Sequence, residues 1–458
     1  MAIATINPTT GELVQDFSPH TEADIEDRIS GAHAAYLALK GTDFATRAAW
    51  MHQAASLLES EVESAAAMLV LEIGKPIVQA RAEVLKCART MRFYADNAEA
   101  FLAETELADP DSVGATRAGT RYQPLGVVLA VMPWNFPLWQ VVRFAAPALM
   151  AGNAGLLKHA SNVPQTALYL DALFERAGFA PGSFRTLLIP SSGVERVLRD
   201  PRVVAATLTG SEPAGRSVAT IAGSEVKHVV LELGGSDPFI VMPSADLDAA
   251  VGKAVESRTI NNGQSCINAK RVIVHADIYD EFLEKFTAAM KALVVGDPMN
   301  ESTQLGPLAT EAGRRDLHTL VSDAREHGAV IAAGGEPLDG PGWFYPATVI
   351  SGVTPAMRLY AEEAFGPSAS VFRVTDRNEA LRLANDTTFG LSSAVWTRDA
   401  AEEEFFIDGL DAGAVVVNGI STSYPQLPFG GVKNSGVGRE LSAAGIREFC
   451  NLKSVWRA

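Results

Sequence analysis

The chain has 458 residues, room for about three domain-sized units at about 150 residues each. Hydrophobic residues make up 47% and charged residues 20%, so a large core can form without disulfides or metal. Lys and Arg total 38 against 54 Asp and Glu, and the resulting net charge of −16 argues against a surface built to grip nucleic-acid phosphate. Taken in chain order, the first hundred residues read as mostly helical. TEADIEDRISGAHAAYLAL opens with Thr21 three residues before Asp24, close to a capping box. ATRAAWMHQAASLLESEVESAAAMLVLEIGK continues the helical period and stops at Gly74, with Pro76 beyond it. The polar, Gly-containing stretch 109–119 breaks the pattern, and residues 120–122 read as extended.

From Gly126 the pattern alternates. GVVLAVM, GNAGLLKH, FRTLLI, VVAATLTG, KHVVLELGG and PFIVM are short β-rich runs separated by helical stretches such as QTALYLDALFERAG, VERVLRD and AGRSVATIAG. Strands alternating with helices predict βαβ units and a parallel sheet. A second series follows Cys266: RVIVH, a long helix from IYDEFLEKFTAAMKAL, then VIAAGG, FYPATVI, SASVFRV, LRLAND, SSAVWT and AVVVNG. With no long linker between the two series, they are expected to dock tightly.

Cys87, Cys266 and Cys450 are too few and too dispersed for a disulfide framework or a zinc cluster, and they fit a reducing compartment. The N-terminal MAIATINPTTGELVQDF has no basic region leading into an apolar one. The most apolar run, LGVVLAVMPWNFPLWQVV, is cut by Pro133, Asn135, Pro137 and Gln140, so no membrane span is expected. The expectation is a soluble cytoplasmic protein without metal, nucleic-acid or membrane partners.

Five segments carry candidate chemistry. Cys266 ends Asn261-Asn262-Gly263-Gln264-Ser265-Cys266, a Gly-containing loop where an exposed thiol could act as a nucleophile. A lone thiol is more often a small buried apolar group, the reading that also covers Cys87 and Cys450. Glu232 sits in the apolar run VVLELGG, either as a strand-end residue facing solvent or as a buried base of raised pKa. Asn135, within Pro133-Trp134-Asn135-Phe136-Pro137, offers an amide to a developing oxyanion or serves as ordinary turn chemistry. Lys158 ends a strand where α/β sheets bind ligands, and Thr209-Gly210-Ser211 precedes a helix whose N–H groups can face phosphate. The GxGxxG fingerprint is absent.

In this order and spacing PWNFP, LLKHAS, TLTGS, LELGG, NNGQSC, EEAFGP and PFGGVKNSGVGRE resemble the aldehyde dehydrogenase superfamily along the whole chain. The resemblance implies an α/β fold with a Rossmann-type cofactor domain (1–105 and 125–233, rejoined by 423–449), an α/β catalytic domain (234–422) and a small β oligomerisation element (106–124 and 450–458). It implies Cys266 as nucleophile, Asn135 and the Cys266 N–H as oxyanion hole, Glu232 as the base that hydrolyses the thioester, and Glu440 as a proton relay. Glu232 favours release of a free acid over transfer to coenzyme A. The cofactor residues implied are Trp134, Lys158, Ser161, Gly210, Ser211, Glu363 and Phe365. NAD-preferring members usually carry Glu where this chain has Ser161; without that carboxylate a 2′-phosphate is not repelled, so NADP is expected over NAD.

The segments LWQVVR and LLKHASNV look most like bacterial succinate-semialdehyde dehydrogenases. That resemblance implies an aldehyde with a distal carboxylate, held by Arg143 and Ser423, with Trp139 as an apolar wall. The second arginine of longer relatives is replaced by Ile260; Arg258 lies about 200° around a regular helix from it and should face elsewhere. Asn268 stands where some relatives have a second cysteine, so no redox switch with Cys266 can form. A broad-specificity aldehyde dehydrogenase, an acyl-transferring or esterase-like enzyme and a non-catalytic relative are the alternatives. Homodimers or homotetramers are expected.

Overall fold

A computed structural model describes residues 2–458. Thr21 caps the helix Glu22–Leu39 with the expected box: its Oγ1 accepts from the Asp24 N–H at 3.2 Å, and the Asp24 carboxylate accepts from the Thr21 N–H at 2.8 Å. The long apolar-periodic stretch that follows is two helices, Phe44–Ser60 and Val62–Ile73, broken at Glu61. The second ends at Gly74, whose φ of 70° supplies the left-handed C-cap. A third helix, Ile77–Phe101, packs against both. The strands Ile3–Ile6 and Leu13–Phe17 form a hairpin that the sequence reading did not single out.

The first alternating series, apart from PFIVM, supplies five strands of a six-stranded sheet that Gly436–Val437 completes. Its spatial order is Gly436–Val437, His228–Glu232, Val203–Thr209, Val127–Met132, Ala154–His159, Phe184–Thr186. All pairings are parallel except that of Gly436–Val437. The chain starts at the central strand Val127–Met132, runs outward to one side, then returns to the other side at Val203–Thr209. That reversal opens a crevice at the carboxyl ends of these two strands, where open α/β sheets bind ligands.

The second series, joined by PFIVM, which the sequence pattern groups with the first but which pairs here as Pro238–Val241, builds a seven-stranded sheet in the order Val330–Ala333, Thr348–Ser351, Ser368–Val374, Arg271–His275, Pro238–Val241, Ser393–Trp396, Val415–Val417. Only Val330–Ala333 pairs antiparallel. Both sheets carry helices on their faces, so their inner strands are buried on both sides and read as continuous apolar runs rather than alternating ones. A separate antiparallel sheet joins Cys450–Arg457, Arg117–Pro124 and Thr105–Glu106, bringing the chain's last strand against a segment more than 300 residues earlier. Among the described residues no helix is long and apolar enough to cross a membrane, and no cluster of His, Cys, Asp and Glu could hold a metal ion.

Candidate active site

Cys266 is positioned by the loop that precedes it. Asn261, Asn262 and Gly263 all adopt left-handed backbone, with φ of 55°, 56° and 74°. Such a run is costly unless side chains hold it, and both asparagines do. Asn261 Nδ2 donates to the Asn135 carbonyl at 2.6 Å and the Gln264 carbonyl at 3.0 Å. Asn262 Nδ2 donates to the Gly74 and Pro307 carbonyls, and its Oδ1 accepts from the Gly306 N–H. Gly263 cannot be replaced, since a Cβ there would lie 2.4 Å from the Gly366 carbonyl carbon. Beyond the thiol, Lys270 Nζ donates to the Ser265 and Cys266 carbonyls at 2.8 and 2.7 Å and pairs with Glu363 at 2.8 Å. The nucleophile's loop is therefore clamped from both sides.

The Cys266 thiol is half-buried at the wall of a cavity of about 720 Å³. Burial pushes its pKa up to about 12, with Lys270 and Arg143 pulling the other way. A resting neutral thiol needs a base or a bound cation to become the nucleophilic thiolate. Its backbone N–H makes no hydrogen bond to another described residue. Asn135, 4% exposed, uses its amide Nδ2 to donate to the Gln264 carbonyl at 3.2 Å, which sets the side chain beside the thiol's loop.

Glu232 resolves in favour of burial: it is 2% exposed, and neither carboxyl oxygen has a hydrogen-bond partner. Burial and the neighbouring Glu440 raise its pKa far above the ordinary carboxyl range, against the pull of Arg143 and Arg439. Burial thus favours the protonated acid at rest. It does not line the cavity; Oε1 rests on Gly430, where any Cβ would come within 2.7 Å of it.

The resemblance places the substrate carboxylate on Arg143, which does line the cavity. Its guanidinium, however, is already engaged. Nε pairs with Glu440, Nη2 donates to Thr209 Oγ1 at 3.2 Å, and the group lies 4.7 Å from the Phe429 ring centroid. A cation this deeply buried requires a counter-charge, and Glu440 supplies it. Trp139 and Ser423 line the same cavity as Cys266. Arg258 turns away, as the helical angle predicts: it is fully buried and donates to the Ser368, Gly263, Ala364 and Gly366 carbonyls.

Lys86, on the helix Ile77–Phe101, belongs to this cavity and was not foreseen. Its Nζ donates to Ser423 Oγ at 2.9 Å and sits 4.0 Å from the Trp139 ring centroid. Nothing local in AEVLKCART marks it, because its partner is 337 residues away. Glu83, one turn earlier, pairs with Lys75 and accepts the Leu138 and Trp139 N–H groups at 3.1 and 3.0 Å. A carboxylate there suits the positive end of helix Trp139–Ala151 and fixes the cavity wall.

The remaining predicted residues gather around the sheet crevice. Trp134 follows the central strand, and Gly210 and Ser211 follow Val203–Thr209 at the start of helix Glu212–Ser224. The Ser211 hydroxyl makes no capping bond to that helix. Lys158, 8% exposed, lies near the end of the adjacent strand; burial alone lowers its pKa, and among the described residues no carboxylate pairs with it. Ser161 lies three residues further on, half-buried. Phe365 packs edge-on to Trp134 with centroids 5.7 Å apart, and Glu363 lies against Gly234. A lysine lacking an anionic partner, a helix start with free donors and aromatic side chains fit the phosphates, ribose and ring of a dinucleotide.

The thiol, the buried carboxyls and the adjoining dinucleotide crevice define a class of enzyme, and comparison with known proteins agrees. Residues 1–455 match the model of the aldehyde dehydrogenase family, and the chain belongs to that family. It is 63% identical over 458 residues to succinate-semialdehyde dehydrogenase [NADP(+)] 1 of Mycobacterium tuberculosis (strain ATCC 25618 / H37Rv), covering all of both chains. With succinate-semialdehyde dehydrogenase [NADP(+)] of Mycobacterium avium (strain 104) the identity is 62% over 457 residues, covering all of this chain and 97% of the relative. The crystal structure of succinic semialdehyde dehydrogenase from Streptococcus pyogenes in complex with NADP+ superposes with a TM-score of 0.96 at 37% identity, covering 99% of each chain.

Proposed function

We propose that the protein oxidises succinic semialdehyde to succinate with NADP in preference to NAD. The observation that carries this reading is one cavity holding the Cys266 thiol together with a cationic, Trp139-walled end bearing Arg143, Lys86 and Ser423. An aldehyde with a distal carboxylate matches both ends. The names of the full-length relatives support the same substrate and cofactor.

Cys266 attacks the carbonyl as its thiolate, and the oxyanion of the adduct is received by the Asn135 amide and the free Cys266 N–H. A bound oxidised nicotinamide would supply the acceptor for the hydride that leaves as the adduct on Cys266 becomes a thioester. Glu232, having given up its resting proton through Glu440, then rotates into the cavity as the carboxylate and takes a proton from water, and the resulting hydroxide releases succinate and regenerates Cys266. Glu440 passes the proton outward. The balance is aldehyde, water and NADP+ giving carboxylate, NADPH and two protons. Lys158, Ser161, Gly210 and Ser211 hold the adenosine and phosphates; Trp134, Glu363 and Phe365 hold the nicotinamide end.

In this reading residues 1–105, 125–233 and 423–449 form the cofactor unit and 234–422 the catalytic unit. Residues 106–124 and 450–458 join subunits of a homodimer or homotetramer, with exposed Leu452 and Trp456 at the contact. The enzyme works in the cytoplasm. The test is a matrix of succinic semialdehyde and uncharged aldehydes against NADP and NAD. The highest kcat/KM is expected for succinic semialdehyde with NADP, and a higher value for an uncharged aldehyde, or with NAD, overturns the corresponding half.

A further inference from the structure

We infer that Lys86, acting with Ser423, is the residue that receives the substrate's distal carboxylate. The inference rests on the reading of an acid-bearing aldehyde above and specifies its recognition. The cavity's charged groups mostly cancel in pairs. Lys75 is matched by Glu83 and Arg143 by Glu440. Of the acids on the wall, Glu301 pairs with Arg81 and Glu256 with Lys253. Arg89 stands exposed at the rim, where solvent and salt screen it.

Lys86 is different. It is directed at the Cys266 cavity and is met only by a hydroxyl and an aromatic face, with no carboxylate among the described residues paired to it. Burial pushes its pKa down to about 8, so the charge is held at a cost that an incoming carboxylate would relieve. The hydrogen bond to Ser423 Oγ also prepares the hydroxyl: with Lys86 as donor, the serine proton is free to point at a second acceptor. One ammonium and one hydroxyl thus offer two donors to the two oxygens of a carboxylate. Trp139 flanks them with an apolar surface suited to the intervening methylenes.

The test compares kcat/KM for succinic semialdehyde and butanal, with NADP, in wild type, Lys86→Met, Lys86→Gln and Arg89→Met. Loss of a charge-assisted bond should lower the acid-to-butanal ratio by about 10- to 100-fold in both Lys86 variants and by much less in Arg89→Met. Lys86→Gln keeps a donor for Ser423 and serves where Lys86→Met does not fold. A ratio unchanged in a folded Lys86 variant, or falling as far in Arg89→Met, overturns the assignment. A wild type with no preference for the acid overturns the substrate reading and this assignment with it; a wild-type preference that survives the Lys86 changes overturns the assignment alone.

Discussion

Arg143→Met is the most informative single change, because it separates a structural cation from a substrate-binding one. The Arg143 and Glu440 side chains are 2% and 5% exposed, so neither charge has solvent to fall back on. Deleting one partner of a buried pair costs about 3–5 kcal/mol, most of it the penalty of the charge left behind. Here the orphan is Glu440, with Glu232 beside it, Glu448 adding a further negative charge, and Arg439 acting on Glu232. Removing both charges, in Arg143→Met/Glu440→Gln, should recover about 2 kcal/mol or more of that loss. Denaturant unfolding of all four proteins under one set of conditions measures the coupling.

The pH dependence follows with a definite sign. Glu440 already has a folded pKa above its ordinary value, and losing Arg143 raises it further. A carboxyl with a raised folded pKa favours the fold when protonated. The variant's deficit should therefore shrink toward acid and grow as pH rises above about 4.5, the ordinary value for Glu. Arg143→Met should also impair turnover of charged and uncharged aldehydes alike, since it disturbs the Glu232 environment. Losses that add within about 0.5 kcal/mol, or a deficit independent of pH, would refute this account of the pair.

Glu232→Gln should accumulate the Cys266 thioester and lower kcat by about 10²- to 10⁴-fold, seen as a near-stoichiometric burst of NADPH and an acylated enzyme by intact mass; sustained turnover counts against Glu232 as the base. Ser161→Glu should shift the NADP-to-NAD ratio of kcat/KM toward NAD by on the order of 100-fold, the cost of setting a carboxylate against a 2′-phosphate, and an unmoved ratio removes Ser161 from the cofactor site. Lys86 is charged below about 8, so KM for succinic semialdehyde relative to butanal should rise as pH passes upward through that value. Lys86→Arg, which stays charged, should flatten that rise; a rise that persists in the variant assigns the titration elsewhere.

The sequence by itself determined the alternation of strands and helices, the capping box at Thr21, the left-handed stop at Gly74 and the order of motifs that places Cys266, Glu232 and Asn135 in one family. These are properties of periodicity, local backbone preference and short spacing, each carried within a few residues. The tertiary structure alone decided which charges are spent and which are free. Arg143 looks like an available cation in LWQVVR, yet folding sets it against Glu440, 297 residues later, and a buried guanidinium takes the nearest carboxylate. Lys86 looks like one more polar residue on a helix, yet folding leaves it facing the cavity with only Ser423 and Trp139 for company. The net charge of −16 could not report either outcome, because the energy of a buried charge depends on its few nearest neighbours, and those are chosen by the fold.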